Sequence, residues 1–430
     1  MAGDGPSEAP LRPARHRYGV EVIDLFLRLV LSAATSLRGG AAVLGLLNGQ
    51  LPCLPQAPCP NSGRLWLLRI GLFRLTCRKR RADDWVWLID HTLQLGPYKC
   101  LIVIGIRLSA WDHTRPLEHR DMTLLNLTPM EHSSGEQVQE QLEAVAQITG
   151  LPRAVVSDEG TDLKRGMELF RQDHRKVRHQ HDMKHKNALL LKKELARDRR
   201  WEQFLKQANR TKLATTQTGL AFLNPPGLKT KARYMNLDTL VHWGVRALAY
   251  LETSDRAHVP DVDQRKLKEK LGWLTSYRSA LARWSELLSI ARTAEKLVQG
   301  GIRRSLRDEL RAHWKPLVTT PAGQRMSRAI LKFVAQQSAG MSANERLIGS
   351  TEVLESIIGK YKRVQSCHSK GGMTAMLLSI GTMLGKLTPN TIKQALETIR
   401  SGDVDTWCRK HLGITLQSHR RLALGATKIG

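Results

Sequence analysis

Cysteine is scarce: six residues in 430, at positions 53, 59, 77, 100, 367 and 408. No two form a C-x-x-C pair, so neither a zinc ribbon nor a disulfide framework is supported, and reduced thiols in a cytosolic protein are expected. Acidic residues are in deficit. There are 39 Asp and Glu against 67 Lys and Arg, giving a formal net charge of +28 and a pI near 10.3. Such a surplus points to a polyanionic partner, nucleic acid first and a membrane surface second. Long apolar runs are missing too. The run at 373–384 has 12 residues, short of the roughly 20 that cross a bilayer. The run at 20–47 is broken by Glu21, Asp24, Arg28 and Arg38. The opening stretch MAGDGPSEAPLRPARHRYG has no apolar h-region, so no signal peptide is expected. No internal repeat of fixed period is visible. What is present is apolar material, 41% of the chain. That is enough for a core, against wholesale disorder, in a length that suits two or three domains.

Along the chain, residues 1–17 read as a disordered basic leader. Helical spacing of Val22, Leu25, Phe26 and Leu29 predicts a helix over about 20–37, and a second helical stretch follows Gly39 and Gly40. A Pro-rich connector, LNGQLPCLPQAPCPNSG, precedes a third helix at 64–75. Short helices broken by Gly-containing turns beside basic residues suit a helix-turn-helix module over residues 1–80, though they also build plain three-helix bundles. After the charged linker RKRRADD the pattern changes to strands: WVWLID at 85–90, KCLIVIGIRL at 99–108, and a third near 122–127. Gly96-Pro97 marks a hairpin turn between the first two. A helix at 135–149, the short strand AVVSD at 154–158, a helix from GTDLKRGMELF with Thr161 able to cap it, a fifth strand at 176–182 and a helix at 183–195 follow. Residues 197–340 carry helical period and no strand signal. Further helices are expected at 349–364, 373–384, 389–399 and 404–412, then a basic tail.

The fold class this implies is α/β: a five-stranded mixed sheet, covered by helices, with a large all-helical insertion. The divisions are 1–80, 81–196, 197–340 and 341–430. In a sheet of order 3-2-1-4-5, strands one and four are neighbours. Asp90 closes the first and Asp158 the fourth, so their carboxylates would meet. Two such groups repel unless a cation lies between them, and hard oxygen ligands suit Mg²⁺ or Mn²⁺. A third acid on a covering helix would complete a site for two ions. Glu355 is the candidate. Lys362 lies seven positions on, within about 20° of the same helix face, and Gly359 leaves a gap between them. Glu352, about 60° away, is the rival.

The segments LIDHT, VVSDEGTDLKRG and TEVLESIIGKYK resemble the three signatures of DDE transposases of bacterial insertion sequences. The resemblance covers 82–186 and 344–370. It implies an RNase H-like fold, with Asp90, Asp158 and Glu355 as the metal-binding catalytic triad and Lys362 on a DNA phosphate. It implies cleavage at element ends and strand transfer to target DNA with Mg²⁺ or Mn²⁺, two ions, by a homodimer or higher oligomer on double-stranded DNA. It also implies a bacterial cytoplasmic, nucleoid-associated location and no membrane. The 197 positions between Asp158 and Glu355 depart from the compact pattern and fit an inserted domain that shapes the DNA path or the dimer.

Other clusters carry weaker readings. His179, His181, Asp182 and His185 have a metal-like spacing, but successive strand residues point to opposite faces, which argues against zinc. Asp162 is a first-turn helix acid favoured by the dipole. The basic stretch 184–200 is a solvated face or a DNA contact. Trp201, Trp243, Trp273, Trp284 and Trp314 suit a core better than base stacking. Two further functions stand beside the transposase: a structure-selective nuclease of the same fold, and a catalytically silent DNA-binding descendant. An intact acid triad argues against the second.

Overall fold

The computed structural model describes residues 11–50, 54, 56–91, 98–227, 237–254, 263–367, 373–413 and 422–425. The chain forms two compact units, residues 1–180 with 351–430, and residues 181–350. The 96–97 turn, residues 1–10 of the leader and most of the basic tail lie outside the described residues.

The first unit opens with helices α1 (Val20–Leu31), α2 (Leu37–Leu46) and α3 (Pro60–Thr76). Three details differ from expectation. Helix α1 ends at Leu31 rather than near 37, because the chain turns there through Ala34 at φ 56°. Gly39 and Gly40 lie inside α2, because the Ser36 hydroxyl accepts the Gly39 amide at 2.9 Å and starts the helix before them. Helix α3 begins four residues early, at Pro60, whose missing N–H costs nothing in the first turn.

The sheet follows: β1 (Trp85–His91), β2 (Lys99–Arg107), β3 (Thr123–Met130), β4 (Ala154–Ser157) and β5 (Arg178–His181). Its order is β3-β2-β1-β4-β5. β1 is antiparallel to β2 and parallel to β4, and β2 is antiparallel to β3. Helix α4 (Gly135–Thr149) links β3 to β4, and α5 (Thr161–Asp173) links β4 to β5. Trp85, Trp87, Ile89, Leu101, Val103 and Val155 form one core with Val138 and Leu142 of α4 and Met167 and Phe170 of α5. Strand alternation sends Val86, Leu88 and Asp90 to the opposite face.

The chain returns to this unit after residue 350 with α13 (Glu352–Ser366), α14 (Ser379–Met383), α15 (Pro389–Thr398) and α16 (Ser401–Leu412). The expected helix at 373–384 is instead a 3-10 turn, Ala375–Leu378, leading into the short α14. This segment is pressed against α3: a Cβ on Gly71 would lie 1.7 Å from the Leu378 carbonyl oxygen, and one on Gly381 would lie 2.6 Å from the Gly71 carbonyl oxygen. Helix α3 also packs on α15, α16 and β3, and α13 packs on β1. Trp66, Leu67, Leu68, Ile70 and Leu72 of α3 are all buried, so α3 is a core helix of the unit. With helices on both faces of a mixed 3-2-1-4-5 sheet, the fold is RNase H-like.

The second unit is helical: α6 (Met183–Ala196), α7 (Arg199–Thr215), α8 (Leu237–Ser254), α9 (Gln264–Leu271), α10 (Arg278–Val298), α11 (Leu306–Trp314) and α12 (Pro321–Ser338). Among the described residues its only β pairing is the isolated bridge Ile302–Leu347. Helix α10 is central, packing on α6, α8, α11 and α12. The tryptophans build this core. Trp201 meets Trp284 edge-on at 4.8 Å, Phe204 sits 5.1 Å from Trp284, and Trp314 is buried beside α11. Their indole N–H groups are also used: Trp273 donates to Thr211 Oγ1 at 2.9 Å and Trp284 to Asp198 Oδ2 at 3.1 Å. A buried carboxylate, Glu286, accepts from both amides and both hydroxyls of Thr319 and Thr320, ordering the entry to α12.

Candidate active site at the ends of strands β1 and β4

The parallel pairing of β1 with β4 sets Val86 opposite Ala154, Trp87 opposite Val155 and Leu88 opposite Val156. Asp90 lies two residues past the last pair on β1, and Asp158 directly follows the end of β4 at Ser157. Neighbouring strands lie about 4.8 Å apart, and both acids are half-buried. The Asp158 Oδ1 accepts the Gly160 amide at 2.9 Å. That bond explains why Thr161 does not cap α5: Gly160 is the cap residue, and the Asp158 carboxylate turns the chain into the helix.

The same end of the sheet collects further polar groups. Lys99 opens β2 beside the close of β1 and pairs with Asp162 at 2.8 Å. The hydrogen bond from Lys99 holds the Asp162 carboxyl below the usual carboxylate range. A third acid at this end of the sheet is thus paired with a lysine. His91 follows Asp90, and its Nε2 lies 3.0 Å from the Ser133 hydroxyl. Burial, then the Lys99 ammonium, lowers the His91 imidazole below its ordinary range, against the opposing pull of Asp162 and Asp158.

Helix α13 covers the Asp90 face of β1. Its Tyr361 is buried and feels Cys100 of β2, whose neighbours Leu101 and Val103 point the other way. Along α13, Glu355 is half-buried, whereas Glu352 and Lys362 are exposed. A Cβ on Gly359 would meet nothing within 4 Å. The stripe Glu355, Gly359, Lys362 therefore borders open space, with Glu355 at its inner end. The first turn of α13 is braced by His119, whose Nε2 lies 3.0 Å from the Ser356 hydroxyl. His119 belongs to a turn held by the two-pronged Arg115–Asp121 pair, with both N···O distances 2.7 Å.

The parallel ladder sets the ends of β1 and β4 side by side, with Asp90 on one and Asp158 just after the other, and α13, which carries Glu355 and Lys362, packs on β1. Of the histidine-rich cluster the structure brings Asp182 and His185 together. His179 hydrogen-bonds to Ser157 at 2.7 Å, within the sheet. In the helical unit, Asp182 caps α6 and lies 3.2 Å from His185. Sequence reasoning missed Lys99, Ser133 and His119. The antiparallel hairpin carried a signal for Lys99, since a residue opening β2 must lie beside the residues closing β1.

The donor set fits a divalent cation. Asp90, Asp158 and Glu355 offer only hard carboxylate oxygens, the ligands that Mg²⁺ and Mn²⁺ take.

No protein-family model matches the chain, and no curated protein does. Among solved structures, the Drosophila P element transposase strand transfer complex is similar with a TM-score of 0.42 and 10% identity, over 91% of this chain and 94% of that chain. Among the described residues, no helix is long and apolar enough to cross a membrane.

Proposed function

We propose that the protein is a transposase that cleaves DNA strands at the ends of a mobile element and joins the freed 3′-hydroxyl to target DNA. The observation that supports this reading most strongly is that the ends of β1 and β4, with Asp90 on one and Asp158 just after the other, lie side by side, with α13 packed on β1. Asp90, Asp158 and Glu355 would hold the cations, Mg²⁺ or Mn²⁺, as a pair. When bound, such ions supply activation of a hydroxyl nucleophile and stabilisation of the leaving oxygen in an in-line phosphoryl displacement. The chain's own residues do the positioning. Asp158 is oriented by the Gly160 amide. Lys99 keeps Asp162 out of the donor set. Gly359 leaves room for a nucleic-acid backbone along α13, and Lys362 meets a phosphate there. The partner is double-stranded DNA, both element ends and target, held by two or more copies of the chain.

The test is incubation of purified protein with labelled DNA ends, Mg²⁺ and a target plasmid. Joined products that vanish with Asp90→Asn are expected. Cleavage without joining would make the protein a nuclease, and binding without cleavage would make it a silent DNA-binding descendant.

A further inference from the structure

The helical unit carries most of the charge surplus. Residues 181–350 hold 32 Lys and Arg against 15 Asp and Glu, so 17 of the net 28 positive charges lie there. Several of its acids are committed to arginines, while Glu202 of α7 is exposed one turn from Arg199 and Lys206. Asp198 pairs with Arg283, Asp238 with Arg292, Glu252 with Arg278, Glu309 with Arg303, and Glu194 with Arg325. These pairs discharge arginines on α10 and α12 and before α11. On α9, Lys266 pairs with Asp263 and Lys270 with Glu269, while the cations of α7 are less engaged.

On α7, the residues 201, 204, 205, 208 and 211 face the core. Arg199, Lys206 and Arg210 are exposed and fall within roughly 40° of one another around the helix, over about 16 Å of its length. None of the three makes an ion pair among the described residues. Helix α9 packs against α7, with the Thr211 hydroxyl bonded to the Lys270 carbonyl at 3.4 Å. It adds exposed Arg265 to the same region, with Lys266 paired to Asp263 at 3.5 Å.

We infer that the α7 stripe, flanked by α9, is a docking surface for the phosphate backbone of duplex DNA, read without regard to sequence. Charge complementarity selects the occupant. A straight row of cations about 16 Å long matches the regular charge of a duplex strand, one phosphate per about 3.4 Å. The row has no aromatic side chain to stack on unpaired bases. The inference rests on the transposase reading for its purpose, in that a DNA segment held here would reach the protein independently of the carboxylate site. It does not rest on that reading for its physics.

The experiment measures affinity for a random-sequence 30-base-pair duplex across 50–300 mM KCl. It compares the full-length protein with the triple variant Arg199→Gln, Lys206→Gln, Arg210→Gln. Each lost phosphate contact removes about 0.9 from the slope of log affinity against log salt, so the triple variant should be flatter by about 2.7. A second triple variant, Arg304→Gln, Arg307→Gln, Lys315→Gln, changes net charge equally in a region where Asp308 and Glu309 are interleaved, and should leave the slope nearly as it was. Restoring charge with Arg199→Lys and Arg210→Lys should recover it. Equal flattening in both triple variants would mean only net charge matters, and would overturn the inference. So would an unchanged slope in the α7 variant, or loss of binding to anionic lipid vesicles with DNA binding intact. Asp90→Asn separates the two readings. If it abolishes no cleavage while the α7 variant still loses its salt slope, the catalytic reading fails and the docking surface stands.

Discussion

The proposed pairing of Asp90 with Asp158 makes a quantitative prediction about stability. Two carboxylates about 5 Å apart, the strand spacing, repel by about 3 kcal/mol at an effective dielectric near 20. Both are half-buried, and solvent reaching them reduces this to roughly 1–2 kcal/mol. Asp158→Asn removes one charge and keeps the oxygen that accepts the Gly160 amide, so the turn into α5 survives. In EDTA the variant should therefore melt higher than wild type, by about 2–6 °C for a unit of this size. Added Mg²⁺ should stabilise the wild type, because a ligand that binds only the folded state shifts the equilibrium toward it. The variant should gain little. Differential scanning calorimetry with EDTA and with 5 mM MgCl₂ reads all four values. If Asp158→Asn melts below wild type in EDTA, or Mg²⁺ raises both proteins equally, the two carboxylates do not share a cation and the site argument fails.

Three further outcomes are expected. Glu355→Gln should abolish strand cleavage and leave DNA binding nearly intact. Glu352→Gln, exposed and about 60° off the Glu355 face, should do much less, and Lys362→Ala should weaken engagement of the DNA end; a strand-end cleavage assay at matched salt compares them. Gly71→Ala should destabilise the first unit by about 3 kcal/mol or more, the upper end for overpacking, because the added carbon meets the Leu378 backbone rather than a side chain that can swing away; urea unfolding midpoints give the value. The Arg115 hydrogen bonds hold the Asp121 carboxyl below its usual value. Its folded pKa is depressed, so its stabilisation is complete above about pH 4 and is lost as pH falls through the folded value. Arg115→Gln should flatten the acid limb of a stability–pH curve, and an unchanged limb would show that the pair contributes nothing.

The sequence by itself determined the elements and the acids at their ends. Period-2 runs gave WVWLID and KCLIVIGIRL as strands within a residue or two. Helical period set the 135–149 helix to the residue and marked 197–340 as strand-free. These signals are local: each depends on contacts between residues a few positions apart, which repeat with the pitch of the element. The tertiary structure decided what those residues are next to. The ends of β1 and β4 lie side by side only because a parallel ladder pairs Leu88 with Val156. Asp162, legible as a helix-start acid, is tied to Lys99 from 63 positions away. From the sequence, α3 suits a helix-turn-helix module, yet its Arg69 and Arg74 are bonded to the chain itself. Arg69 bonds the carbonyls of Leu396 and Ile399, and Arg74 that of Lys386. Those partners lie more than 300 positions along the chain. No local period encodes such a distance, and only the packing of α3 against α15 and the segment before it brings them together.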